Sequence, residues 1–361
     1  MSLQAFFETP AQRAEKEDLP LLRALIARYA EERPFGGARI ATSHILVRNS
    51  LVVVEALVAG GAEVLLCDAF RSPVAEALWA ELADFDVPVL PAVEAAEAAD
   101  LFLDVNAVLG RMRTPRAAAE VTRTGVYHYE KIPCPVISAD DCRAKRIEGF
   151  FGTGEAFLRA WRQLRPEVPL DGKRVLQFGY GKIGRGVAHQ TRKAGLAVTV
   201  ADVGPAARAH AEQDGFATLA ALPNPALERA LKAADIVIAV TGRPGVLGAS
   251  LAADWLRAGG AVLVNLGAED EYGPAFSDDE VLGGKGVPLN FHLAQPTLNR
   301  YVDAPLAAHV LALEALVINP DAYDVGVHPL PVEMDQWLLS EWRRNWPDED
   351  LTGIGDELGL E

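Results

Sequence analysis

Cysteine is scarce in this chain: Cys67, Cys134 and Cys142 are the whole set. An odd count, with no C-x-x-C pair and no His-rich spacing, excludes a disulfide scaffold and gives no support to a zinc site. Basic charge is in deficit too, with 34 Lys and Arg against 50 Asp and Glu and a net charge of −16. A surface this acidic repels nucleic-acid phosphate and anionic lipid, so neither nucleic acid nor membrane is expected as a partner. No apolar run approaches the length of a bilayer span, and the opening MSLQAFFE lacks the basic region and apolar core of a signal peptide. These absences set the expectation of a cytoplasmic protein acting on a small molecule. What remains is of globular composition: 361 residues, 50% hydrophobic and 23% charged, enough for two domains with cores of their own.

Strand-like and helix-like segments alternate along the chain. A helical stretch with Leu19, Leu22, Leu25, Ile26 and Tyr29 on one stripe leads into strand-like Ala38–Thr42, an amphipathic helix over 50–59, and a strand at 63–67. A helix over 74–82, then strands at 87–90 and 101–104, close this half. That order predicts a parallel sheet with helices on both faces. From Asp171 the pattern restarts, with later strands at 235–242 and 261–267. The expected fold is α/β: two Rossmann-like, doubly wound domains with a cleft between them. A substrate-binding domain is expected over 1–151, completed by about 297–347, and a dinucleotide domain over 152–296. The acidic stretch 348–361 reads as a short C-terminal tail.

The most informative segment lies in the second half. The apolar run Val175–Phe178 enters Gly179-Tyr180-Gly181-Lys182-Ile183-Gly184, a G-x-G-x-x-G opening a helix, and a second apolar run ends at Asp202. Gly179 permits the tight turn, Gly181 lets backbone approach a pyrophosphate, and Gly184 lets the helix sit close to the sheet. The helix N-terminus offers free N–H groups to phosphate. Asp202 is placed for the ribose hydroxyls of an adenosine half, which favours NAD over NADP. Thr241, Gly242, Asn265 and Gly267, at the ends of the later strands, complete the expected cofactor set, because open α/β sheets bind ligands at the carboxyl ends of their strands.

Several separate motifs resemble one family, the S-adenosylhomocysteine hydrolases, which use NAD to split S-adenosylhomocysteine into adenosine and homocysteine. Gly37–Ala41 matches its G-A-R-I-A strand, and Glu55–Val64 its E-T-L-x-x-x-G-A-E-V. Thr122–Val126 is similar to its T-T-T-G-V, Gly179–Gly186 to its G-Y-G-x-V-G-K-G, and Val325–Pro331 to its V-G-V-H-x-L-P. The resemblance implies dimers or tetramers. It also implies a lysine and a carboxylate beside an oxidised hydroxyl, which fall here on Lys145 and Glu148. Without the family, that segment reads as a run of surface ion pairs.

Other family positions are changed. Val105 and Val121 stand where the family has a catalytic aspartate (L-D-D-G-G) and a catalytic glutamate (E-E-T-T-T-G), and valine can neither take a proton nor hydrogen-bond a hydroxyl. Only their neighbours Asp104 and Glu120 offer replacements, each by a one-residue shift. The family's N-D becomes Asp140-Asp141, its reactive cysteine Thr153, and two of its histidines Ala268 and Gln295. His44 survives from the H-M-T segment, displaced by one place. Arg48 and Arg123 are candidate receptors for an anionic group, and His128, His292 and His328 are further acid–base candidates. The family's lysine–tyrosine ending is missing, and Trp337, Leu338 and Trp342 are expected to pack a helix on the substrate domain or on another subunit. The resulting expectation is a diverged NAD-dependent enzyme acting on a hydroxyl of a nucleoside, sugar or related molecule. Lys145, Glu148, Asp140, Asp141 and His44 are its candidate catalytic residues. Adenosylhomocysteinase proper and a non-catalytic NAD-binding regulator are the competing readings.

Overall fold

The computed structural model describes residues 2–67, 73–251 and 253–360. The chain divides into two compact units: Met1–Ile147 with Leu298–Glu361, and Glu148–Thr297. The strands in chain order are β1 Arg39–Thr42, β2 Glu63–Leu66, β3 Leu101–Asp104, β4 Ala117–Glu120, β5 Pro135–Ser138, β6 Arg174–Phe178, β7 Ala197–Asp202, β8 Ala217–Ala220, β9 Ile236–Ala239, β10 Val262–Asn265, β11 Val281–Leu282 and β12 Gly326–Pro329.

The first unit holds the sheet β2-β1-β3-β4-β5-β12, parallel throughout. Chain direction across the sheet reverses between β1 and β3, so the crevice for a ligand lies at their carboxyl ends. The opening helical stretch is three helices, Leu3–Phe7, Pro10–Glu17 and Pro20–Glu32. The last two begin on proline, whose fixed φ suits the first turn and whose missing N–H costs nothing there. Residues 87–90 form no strand, only a bridge from Val89 to Leu66, since Pro88 has no N–H for a ladder. In contrast, β4 is an Ala-Ala-Ala-Glu strand whose composition favours helix. Burial between β3 and β5 overrides propensity, and its small side chains let the helix Asn299–Ile318 lie against the sheet.

That helix corrects the expectation that no segment is long and apolar enough to span a bilayer: it has 20 residues and a mean hydropathy of 1.6. It is 89% buried and forms the core of its unit, with His309, Asp303 and Glu314 enclosed among its apolar residues. The helix Val332–Asn345 packs against it within the same unit, with Leu338 and Trp342 fully buried and the Trp342 indole N–H donating to the Arg300 carbonyl at 2.6 Å. The described part of the C-terminal stretch, residues 348–360, is docked rather than loose. Ile354 and Leu358 are buried, and Glu357 pairs with Arg146 at 2.7 Å.

The second unit holds β8-β7-β6-β9-β10-β11, also parallel, the 3-2-1-4-5-6 order of a dinucleotide-binding fold. Two apolar layers flank it. One includes Phe157, Trp161, Val187 and Leu289, the other Phe178, Leu231, Leu256 and Tyr272. The unit begins at Glu148 rather than near residue 152, because the π-helical turn Glu148–Gly152 packs on the helix Lys182–Lys193.

Candidate active site

In the second unit the fingerprint glycines divide by function. Gly179 has φ +102, and a Cβ there would lie 2.5 Å from the Val240 carbonyl. At Gly184 a Cβ would lie 2.4 Å from the Gly179 carbonyl. Both are glycine for the protein's own packing. Gly181 is different: its φ of −80 suits any residue, and a Cβ there would meet nothing within 4 Å. Its backbone face is open at the N-terminus of the helix Lys182–Lys193, the space a bound pyrophosphate needs. The residues therefore fit NAD.

Beneath the turn, the buried Gln177 amide donates to the Gly179 and Gly184 carbonyls at 2.8 and 2.7 Å, bracing the loop. Its sequence signal is a glutamine inside an apolar strand, Val175-Leu176-Gln177-Phe178. Lys182 is exposed at the first turn, and Ile183 follows it in the same helix. Asp202 ends β7 and accepts from the Tyr180 and Gly204 N–H groups at 2.9 and 2.7 Å, which orient its carboxylate and leave further lone pairs for a ribose. Thr241 and Gly242 are engaged by Glu271, which accepts from both backbone N–H groups and from the Thr241 hydroxyl at 2.7 to 2.8 Å. Burial raises the Glu271 pKa above the usual carboxylate range. The Asn265 amide donates to the carbonyls of Gly267, Glu269 and Lys285 and shapes that loop.

In the first unit the candidates gather at the carboxyl ends of the strands. Ser43 and His44 follow β1, Val105 and Asn106 follow β3, Val121 and Thr122 follow β4, and Asp140 and Asp141 follow β5. Lys145 stands on the helix Arg143–Ile147 and Glu148 opens the π-helix that continues it, so the border between the units falls between them. Short π-helical turns recur at functional sites. Lys145 is close enough for its charge to act on both His44 and His309. Asp140 and Asp141 both pair with Arg123, Asp140 at 3.2 Å, and Arg48 pairs with Glu81. Both arginines expected to receive an anion thus already hold carboxylates. His128, His292 and His328 each have Nε2 at a nearby backbone carbonyl, those of Gly110, Gly283 and Asp324. Thr153 starts the helix Thr153–Leu164, Ala268 is exposed, and the Gln295 carbonyl accepts from Arg159.

The carboxylates beside the two valines are committed to the loops. Asp104, fully buried, accepts from the Ser43 and Tyr129 hydroxyls at 2.5 and 2.6 Å and from the Val105, Leu109 and Gly110 N–H groups. Glu120, equally buried, accepts from Ala107, Val121 and Thr122 N–H groups and from the Thr122 hydroxyl. Neither replaces the lost groups. The loop they hold is unusual: Asn106 and Ala107, where the family's pattern has two glycines, have φ of 57 and 50. A left-handed alanine costs about 1–2 kcal/mol, partly offset here by a fully buried methyl, about 0.8 kcal/mol.

Burial, and then the adjacent Asp104 charge, push Glu120 from 4.5 up to about 8. A carboxyl whose folded-state pKa is raised contributes stability that is complete below its unfolded value and is lost as pH rises through the folded one. The midpoint of urea unfolding is therefore expected to fall as pH rises from about 5 to about 8 and to level off above that, a slope that Glu120→Gln flattens. An unchanged slope in the variant would assign the titration elsewhere.

Fold and site together define a two-unit α/β protein of the NAD-binding class. The profile of the S-adenosyl-L-homocysteine hydrolase NAD-binding domain matches residues 151–272. The chain is 27% identical to an adenosylhomocysteinase of Nostoc sp., over 88% of this chain and 85% of that protein. It is 29% identical to an S-inosyl-L-homocysteine hydrolase of Methanopyrus kandleri, over 64% and 60%. The chain is thus a diverged relative of the S-adenosylhomocysteine hydrolases, similar to them over most of its length. Among solved structures, a dipicolinate synthase component from Bacillus halodurans shares the fold, with a TM-score of 0.54, 14% identity, and coverage of 79% of this chain and 98% of that one.

Proposed function

We propose that the protein is an NAD-dependent enzyme that oxidises, transiently or for net turnover, a hydroxyl of a nucleoside, sugar or related small molecule. The observation that carries this reading is the selective pattern of loss. The open Gly181 backbone and oriented Asp202 keep the features of a cofactor site, and Lys145 is retained beside His44. Val105 and Val121 are apolar where the family has reacting carboxylates, and Asp104 and Glu120 hold loops instead. When bound, NAD supplies a hydride acceptor. Lys145 in its neutral form takes the hydroxyl proton, with Glu148 as the accompanying carboxylate. Asp140 and Asp141, which share the single positive charge of Arg123, shape the same edge of the sheet. A homodimer or homotetramer is the setting the family resemblance favours, and the scarce, unpatterned cysteines favour the cytoplasm.

The test is extraction and identification of any dinucleotide carried by the purified protein, followed by S-adenosylhomocysteine cleavage assays with Lys145→Ala alongside. Bound NAD without homocysteine release is the expected result. Release that the variant loses would restore the adenosylhomocysteinase reading and defeat the argument from the two valines. Absence of any dinucleotide, with no affinity for added NAD, would defeat the redox reading.

A further inference from the structure

His309 lies mid-way along the apolar helix Asn299–Ile318 and is fully buried. Its Nε2 is 3.0 Å from the Ala119 carbonyl of β4, and its Nδ1 is 3.0 Å from His44 Nε2. A carbonyl oxygen can only accept, so His309 carries its hydrogen on Nε2. In a neutral ring that leaves Nδ1 as a lone pair, so the bond to His44 must be donated by His44 Nε2–H. The same step then leaves His44 Nδ1 as a lone pair. With both rings neutral, one carbonyl thus sets both tautomers.

We propose that His309 is a positioning residue that locks His44 in the Nε2–H tautomer, so that His44 Nδ1 acts only as an acceptor for a hydroxyl or amino group of the bound molecule. Neutrality of both rings follows from their surroundings. Burial, and the Lys145 charge facing both, hold His44 down at about 4, and burial and His44 hold His309 well below its usual value. His44 sits where the strand order reverses, at the carboxyl end of β1, and retains 6% exposure. Among the described residues His44 makes its side-chain hydrogen bond through Nε2, to His309, and none is seen at Nδ1. A ligand donor matches it, whereas a phosphate or carboxylate oxygen would face it lone pair to lone pair. The assignment of a ligand to this atom rests on the substrate reading given above; the tautomer lock does not.

The experiment is nitrogen-15 NMR of the full-length protein labelled in its histidine rings, which distinguishes the two tautomers and the imidazolium. His44 and His309 are both expected as single Nε2–H tautomers at pH 7. His309→Gln, whose amide can accept from His44 and donate to Ala119, should keep the His44 signature, and His309→Leu should lose it to mixed tautomers. A wild-type His44 that is Nδ1–H or imidazolium overturns the proposal, as does a Leu variant whose His44 is unchanged. Adenosine is the ligand probe. Binding that shifts His44 Nδ1 supports the acceptor role, and binding that leaves it unmoved overturns that role. No binding defeats the nucleoside reading of the site, and the tautomer result stands or falls separately.

Discussion

Gly181→Ala is expected to lower NAD affinity by at least about 100-fold, on the order of 2.7 kcal/mol, while moving unfolding stability by no more than about 0.5 kcal/mol. The reason is that nothing in the protein needs this glycine. Its φ is ordinary and its Cβ position is empty to 4 Å. A methyl there would occupy the space through which the backbone approaches a pyrophosphate. Gly184→Ala is the control, because its Cβ would lie 2.4 Å from the Gly179 carbonyl and would force the helix off the sheet. That variant should lose about 1–3 kcal/mol of stability, and cofactor with it. Calorimetric titration with NAD beside urea unfolding separates the two. If Gly181→Ala bound NAD normally, the open face would not be the cofactor site.

Asp104→Ala carries the largest stability effect expected in the first unit, a loss of about 4 kcal/mol or more. Two hydroxyls and three backbone N–H groups donate to this carboxylate, and of these only the Val105 N–H has a second acceptor, the Ser43 hydroxyl, so the rest would be left facing a cavity in the core. Asp104→Asn should still be markedly less stable, because one of its terminal atoms becomes a donor aimed at other donors. The outcome separates two roles for a residue one position from the family's catalytic aspartate. A structural carboxylate fails in unfolding experiments. A reacting one would leave Asp104→Asn stable and remove turnover alone.

Much of this protein is legible from short stretches of chain. The fingerprint Gly179–Gly184, the strand before it and Asp202 after it are close in sequence, and their spacing encodes the turn, helix and strand that follow. The two-sheet α/β plan follows from the same local periodicity, as do the valines at 105 and 121, whose chemistry is fixed by residue type. Other features have no local signature. The alanine strand β4 exists because β3 and β5 flank it, against its own propensity. The helix Asn299–Ile318 is long and apolar enough to span a bilayer, and is a core helix because a sheet covers it. Whether Asp104 and Glu120 react or hold loops depended on which donors the turns after β3 and β4 bring to them. His44 meets His309 across 265 residues of sequence, and the Ala119 carbonyl that sets both rings belongs to a third element. Hydrogen-bond direction and burial are properties of neighbours in space, and folding, not spacing along the chain, chooses those neighbours.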